Sequence, residues 1–177
     1  MSTVKSEEFE SRSGTGITIR LATASDALTL ARLRYRFRSN IDLACENEAE
    51  FVERCKVWMQ EGLRDGNPWR CWVAERDGTL LGNLWIRMIE KVPNPTDEPE
   101  NHAYLTNFYV TENARGNGIG SMLLSTALAW CRNGDVQAII LWPTEESRPL
   151  YLRHGFSVRD DLLELMISQD DENSPET

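Results

Sequence analysis

The sequence predicts an α/β domain: a mixed, mostly antiparallel sheet with one parallel pair at its centre and helices on both faces. Three observations lead there. First, a strand pattern ending at Val110 breaks into alternating glycines and an apolar helical run, and a second strand pattern follows at Gln137. That order is a β-α-β unit, so its two strands are parallel neighbours joined by a right-handed crossover. Second, Asp77-Gly78 lies between two apolar runs, Cys71–Ala74 and Leu80–Ile89, as a hairpin signal. Third, two amphipathic helical patterns precede that hairpin.

Residues 1–16 are polar and read as a mobile tail. Ile17–Leu21 alternates as a first strand. Thr23 with Asp26 three residues later marks a helix start, and Ala27, Leu30, Leu33 and Phe37 then share one helical face. Arg32, Arg34, Arg36 and Arg38 alternate along the same helix and cannot all lie on one side of it. Some therefore meet solvent or acidic groups, and others are free to face a substrate. After a break at Asn40–Asn47, a second helix carries Phe51, Cys55, Trp58, Met59 and Leu63 in register, and it stops at Asp65-Gly66-Asn67-Pro68. In the returning strand of the hairpin, Leu84, Ile86 and Met88 point to one side and Asn83, Trp85 and Arg87 to the other. The proline-rich, acidic stretch Val92–Glu100 is a surface loop. In the strand after it, His102, Tyr104, Thr106, Phe108 and Val110 share a face at period two. The helix after the glycines stops at Asn133-Gly134-Asp135, and Gln137–Trp142 is a strongly apolar strand. A short helix begins near Ser147 and is stopped by Gly155, and Leu162–Ile167 is a last strand. Residues 17–168 make the domain, and 169–177 an acidic tail.

Composition narrows the function. The chain has 177 residues and a formal net charge of −9, enough for one domain with its own core and the wrong sign for a nucleic-acid binder. No apolar run spans a bilayer and no secretory leader is evident, so the expected location is cytoplasmic, away from membranes. Cys45, Cys55, Cys71 and Cys131 are scattered, with only His102 and His154 beside them. No metal site is expected, and buried free thiols are the reading for the cysteines.

The chemistry concentrates at Arg115-Gly116-Asn117-Gly118-Ile119-Gly120-Ser121. Glycines let the backbone take positive φ and approach a ligand, and the first amides of a helix lack intrahelical partners at the positive end of its dipole. Together they suit a diphosphate. No Lys-Ser or Lys-Thr follows, so this is not a Walker loop, and G-x-G-x-G is not the dinucleotide fingerprint.

Arg115-x-x-Gly118-x-Gly120 between strand and helix resembles the R/Q-x-x-G-x-G/A signature of the GCN5-related N-acetyltransferase (GNAT) superfamily. Leu150-Tyr151-x-x-x-Gly155-Phe156 is similar to that superfamily's L-Y-x-x-x-G-F element. The resemblance implies a six- to seven-stranded sheet whose central parallel pair is splayed into a V. It also implies acetyl-CoA as co-substrate, its diphosphate on Arg115–Ser121 and its pantetheine arm along the backbone of Phe108, Tyr109 and Val110. Many relatives are homodimers. Thr144 stands where the family often has an asparagine that bonds the coenzyme arm.

The implied reaction is acetyl transfer to a primary amine, on a small molecule or a peptide. Such transfer needs a neutral amine, a donor for the oxyanion and an acid for the leaving thiolate. The resemblance gives the acid's role to Tyr151. A bulge near Phe108–Val110 would expose an amide for the oxyanion. Glu90, Glu100, His102, Glu145 and Glu146 are the candidates for a base, and water or an already neutral amine serves equally. The acceptor is expected between the first two helices, the loop after Ile89 and the last strand. Trp58, Trp69, Trp72 and Trp85 either line that pocket or pack the core. An acyl-CoA-binding sensor or scaffold that turns nothing over would keep the same glycine loop.

Overall fold

Six strands form one open sheet. The computed structural model describes residues 11–12, 16–40 and 46–167. Its strands are β1 (Ser11–Arg12), β2 (Thr18–Leu21), β3 (Trp69–Arg76), β4 (Thr79–Glu90), β5 (Asn101–Val110) and β6 (Val136–Ile140), in that spatial order. Every pair is antiparallel except β5–β6. The helices are α1 (Ala27–Ser39), α2 (Glu48–Gly62), α3 (Ile119–Asn133) and α4 (Arg148–Arg153). Most of the N-terminal tail and all of the acidic C-terminal tail lie outside the described residues, as does Cys45. Ser11–Arg12 departs from the expected tail by pairing with Thr18–Ile19.

The two faces of the sheet carry separate cores. On one, Leu84, Ile86, Ala103 and Leu105 meet Ile119, Leu123, Leu124 and Ala127 of α3. On the other, Val73, Trp85 and Tyr109 meet Ala27, Leu30 and Ala31 of α1, and Val52 and Met59 of α2. Asp77 and Gly78 both adopt positive φ (50° and 74°), which is the turn that a two-residue hairpin requires. Asn47 caps α2 by accepting from the Ala49 amide at 2.9 Å.

The expected single face of β5 is not continuous. Trp85 pairs with Thr106 and Asn83 with Tyr109, so two steps along β4 oppose three along β5. The extra residue is a bulge at Asn107, whose φ of 47° is left-handed. Asparagine tolerates that region better than other side chains with a Cβ. The bulge reverses the alternation: Ala103 and Leu105 face α3 before it, Phe108 and Val110 after it, and Tyr109 turns to α1.

The expected last strand does not form. Leu162–Ile167 is without ladder partners, and Leu163 and Ile167 are 94% and 83% exposed. Apolar residues there run on without alternation, so no pleated face is specified. Strand preference describes a fit to a half-buried surface rather than an intrinsic backbone bias. The sheet accordingly has six strands among the described residues. No helix among them is long and apolar enough to cross a membrane.

Arg20 ties the first strand to the start of α1. Its guanidinium donates to both Asp26 oxygens at 2.9 Å and to Glu75 at 2.8 Å. The Asp26 carboxylate also accepts the Thr23 amide at 2.7 Å, fixing the helix start. Burial alone would raise the Asp26 carboxyl, but the Arg20 and Thr23 hydrogen bonds outweigh it and hold the group below its ordinary value. A depressed carboxyl stabilises the fold above the unfolded value of about 3.9 and loses that contribution as pH falls through the folded value. Asp26→Asn should therefore cost about 1–3 kcal/mol at pH 7. Urea melts should show the gap from wild type closing as the pH drops below about 4; a gap that persists in acid would contradict the ion pair's role.

Candidate active site

The parallel pair separates where the fold needs it to. β5 and β6 are in register only from Asn101–Val136 to Tyr104–Ile140. From Leu105 onward β5 has β4 on one edge and no ladder partner on the other among the described residues. β6 stops at Ile140, two residues before the expected end, as the chain turns away. Tyr104 and Trp142 meet edge to face at 5.3 Å at the apex of this V. The V opens into a cleft of about 1050 Å³ between α1, β5, the start of α3 and α4.

β4 braces the bulge. Asn83, 1% exposed, donates from Nδ2 to the Asn107 carbonyl at 2.6 Å. A Cβ on the neighbouring Gly82 would lie 2.7 Å from the Tyr109 carbonyl, so only glycine allows this approach of the strands. A bulge leaves its extra residue unpaired in the ladder, here on the wall of the cleft. The bulge expected near Phe108–Val110 is thus centred one residue earlier.

The glycine loop meets one end of the cleft through Arg115 and Gly120, while Gly116, Asn117, Gly118, Ile119 and Ser121 do not line it. Gly118 is the residue before α3, at φ 75°. No side chain caps the helix, and its first backbone bond runs from the Met122 amide to the Gly118 carbonyl at 3.0 Å. The amides of Gly116, Asn117, Gly118, Ile119, Gly120 and Ser121 have no backbone partners among the described residues. Space above Gly116 and Gly118 is open within 4 Å. Gly120 is different: a Cβ there would sit 3.5 Å from Leu150 and 3.6 Å from Phe108, where the loop packs on α4 and β5. Asn117 holds the turn by donating to the Ala114 and Arg115 carbonyls at 3.2 Å. Arg115 donates to the Val110 carbonyl at 3.1 Å. Open donors at the positive end of a helix of about four turns fit a diphosphate.

Tyr151 stands opposite, and the spacing of its motif has a structural meaning. α4 ends in a Schellman cap. Gly155, at φ 92°, is its left-handed residue, and the Phe156 amide donates to the Tyr151 carbonyl at 3.2 Å. The Phe156 ring packs on the Tyr151 ring at 5.5 Å, as that cap's apolar contact requires. Phe108 closes the other side at 6.2 Å. Tyr151 is 7% exposed and reaches the cleft. Burial alone pushes its phenol up to about 12, so the hydroxyl keeps its proton throughout the neutral range. His154 takes a structural place, with Nδ1 2.8 Å from the Leu150 carbonyl.

The remaining expected residues divide. Phe108, Tyr109, Val110, Arg115, Gly120, Thr144 and Tyr151 line the cleft together. Thr144 spends its hydroxyl at the start of α4, on Ser147 Oγ at 3.0 Å and the Ser147 amide at 3.2 Å. Of the candidate bases only Glu146 lines the cleft. His102 lies 3.0 Å from Gln137 at the opposite end of β5, and Glu100 accepts the Asn94 amide at 3.2 Å.

The loop after Ile89 belongs to that same far end. Lys91 donates to Gln137 at 2.5 Å, so the loop does not border the cleft as expected. With Leu162–Ile167 unpaired, α1 is the expected acceptor wall that remains. None of the four tryptophans expected there lines the cleft: Trp72 and Trp85 are buried in the core, Trp69 is partly buried beside Trp85, and Trp58 is exposed at the edge of that cluster, whose centroids are 5.4–6.0 Å apart. Trp72 also meets Trp130 at 5.4 Å.

Sequence reasoning missed Asn83, Asn107 and Glu112. A polar Asn107 interrupting an apolar strand was the available signal for the bulge. Glu112 lines the cleft and accepts the Tyr109 hydroxyl at 2.8 Å. Its own amide, then Tyr109 and Arg115, hold its carboxyl below the ordinary value, which makes it a poor base. Among the described residues no group of His, Cys, Asp and Glu is arranged to hold a metal ion.

Comparison with known proteins agrees with this geometry. The chain is similar to a GCN5-related N-acetyltransferase from Ralstonia eutropha, with 26% identity, a TM-score of 0.70, and 85% of this chain and 99% of that one covered. It is equally similar to a predicted acetyltransferase from Clostridium acetobutylicum that was crystallised with acetyl-CoA: 26% identity, TM-score 0.69, 85% and 96% covered. A curated relative, mycothiol acetyltransferase of Thermomonospora curvata, is 32% identical over 110 residues, which are 57% of this chain and 34% of that protein. The chain thus spans about a third of that relative's length. The family model described as "Acetyltransferase (GNAT) family" matches residues 35–156, from α1 through the α4 cap. Acetyl-CoA is the acyl donor of that family. The chain belongs to the GNAT acetyltransferase family.

Proposed function

We propose that this chain transfers the acetyl group of acetyl-CoA to a primary amine by direct attack, with Tyr151 as the general acid. The observation that carries the reading is the placement of a protonated, cap-locked Tyr151 hydroxyl across a cleft from an open strand edge and an uncapped helix. Bound acetyl-CoA supplies a thioester carbonyl open to attack by an amine. The amides from Gly116 to Ser121, with Arg115 at the rim, hold its diphosphate. The free edge of β5, including Phe108, Tyr109 and Val110, orients the arm by backbone hydrogen bonds. The unpaired backbone at the Asn107 bulge is the donor for developing negative charge. Tyr151 gives its proton to the departing sulfur.

No carboxylate lines β5, and Glu112 is held acidic. Deprotonation of the amine therefore falls to Glu146, the one expected base on the cleft, or to water. Tyr151 is also the feature that favours an enzyme over a binding domain, because holding the coenzyme alone needs no acid there.

Two outcomes check this reading. Gly118→Val forces a β-branched residue into φ 75° without meeting a neighbour, costing about 1–2 kcal/mol of backbone strain. Calorimetric titration should show coenzyme A binding weakened about tenfold or more; undiminished affinity would contradict the cradle. Tyr151→Phe keeps the ring and removes the acid. It should lower kcat about 100-fold or more, with coenzyme affinity within about twofold of wild type. Wild-type kcat across the pH range would remove Tyr151 from the chemistry.

A further inference from the structure

Two arginines of α1 face the cleft with no ion pair among the described residues. The four arginines of that helix are split by its periodicity: Arg34 and Arg38, at i and i+4, are half-buried on the cleft, while Arg32 and Arg36 are exposed. Like charges at i, i+4 destabilise a helix, so the arrangement serves something other than helix stability. Neither Arg34 nor Arg38 forms an ion pair among the described residues. Among the described residues the partners of Arg34 are neutral, the Asn107 side-chain oxygen at 3.2 Å and the Phe37 ring at 5.7 Å. Burial first, and then the charge of Arg38, pull its guanidinium below the ordinary value.

The contrast with Arg20 makes this informative. Arg20, of similar partial burial, is matched by two carboxylates, Asp26 and Glu75. The chain has 28 acidic and 19 basic residues, so carboxylates are not scarce. Two carboxylates do line the cleft. Glu112 is engaged by Tyr109, Arg115 and Asn40. Glu146 lies on the α4 side, before Ser147. Arg34 reaches the bulge residue itself, so an anion held there lies beside the backbone assigned above to the reacting centre.

We propose that the acetyl acceptor is an amine that also carries a carboxylate, and that Arg34 and Arg38 bind this carboxylate. The inference rests on the acetyltransfer reading above and adds the substrate class to it. A guanidinium fork matches a carboxylate in a plane. Exchange of the neutral Asn107 partner for that anion relieves the repulsion between the two cations. The anchored carboxylate leaves the amine nitrogen to approach from the α1 side, across from Tyr151. The bond formed is N–C(acetyl), the bond broken is C–S, and one amine proton is lost while the sulfur gains one.

The test is thiol release from acetyl-CoA across matched acceptors: free amino acids, their carboxamides and their decarboxylated amines, together with short peptides. Wild type should favour the carboxylates by at least about tenfold in kcat/KM, mostly through KM. Turnover of peptides only through a terminal or side-chain carboxylate would place the same chemistry on a larger acceptor. Arg34→Gln and Arg38→Gln should each collapse that preference, and Arg34→Lys should keep more of it than Arg34→Gln. Equal rates for acids and decarboxylated amines would overturn the proposal. So would variants that weaken coenzyme A binding as much as they weaken the acids, since the arginines would then serve the coenzyme. If no acceptor turns over while coenzyme A binds saturably, the acetyltransfer reading fails. Calorimetric binding of N-acetylated amino acids to the coenzyme-loaded protein then decides the arginine site separately. Binding lost in Arg34→Gln supports the site, and binding unchanged overturns it.

Discussion

β5 carries one residue more than β4 can pair, and the cleft depends on that mismatch. Were the ladder regular, Phe108 and Val110 would face α1 and Tyr109 would face α3, and the side chains that line the cleft would exchange sides. The extra residue at Asn107 reverses the alternation and turns Phe108 toward Tyr151. It needs a left-handed backbone, and three neighbours make that conformation hold. Asn83 satisfies the bulge carbonyl from within the sheet, Gly82 lets the strands close, and Arg34 bonds the side chain from outside. The buried polar Asn83 is thus accounted for by one hydrogen bond to the bulge, in line with the cost of leaving such a group unpaired.

Helix ends are used in two opposite ways around the same space. α4 spends its terminus on itself: the Gly155–Phe156 cap satisfies its carbonyls and clamps the Tyr151 ring. α3 leaves its terminus open, with no capping side chain and a run of amides without backbone partners among the described residues. A helix start with unpaired donors is normally a weakness. Here α3 is held by its apolar face instead, with Ile119, Leu123, Leu124 and Ala127 all buried against the sheet. Packing carries the stability, so the helix does not depend on a cap at those amides.

The sequence was legible where local chemistry dictates geometry. Asp77-Gly78, Thr23 with Asp26, and the Gly155 stop each produced the turn, helix start or helix end expected of them. Asn47, expected only as part of a break, proved to cap α2. The glycine loop and Tyr151 were legible through motif spacing, and for Tyr151 that spacing is the spacing of a Schellman cap. Tertiary competition was not legible. The period-two face of β5 failed at Asn107 because a bulge is decided by both strands. Leu162–Ile167 has strand-forming residues and no ladder. The loop after Ile89 was expected at the acceptor site because it is long and unusual, but it hangs from the start of β5 while the cleft opens at the strand's other end. The four arginines of α1 showed from their spacing that they must divide, but not which pair would face inward.

The central claim is that a diverging strand edge and an uncapped helix together receive one coenzyme. Amide NMR during titration with coenzyme A tests it most directly. The account predicts saturable shifts of the Gly116–Ser121 and Leu105–Val110 amides with a common dissociation constant, while those around His102 and Gln137 stay still. Saturable binding that moves the latter group and leaves Gly116–Ser121 unshifted would contradict it.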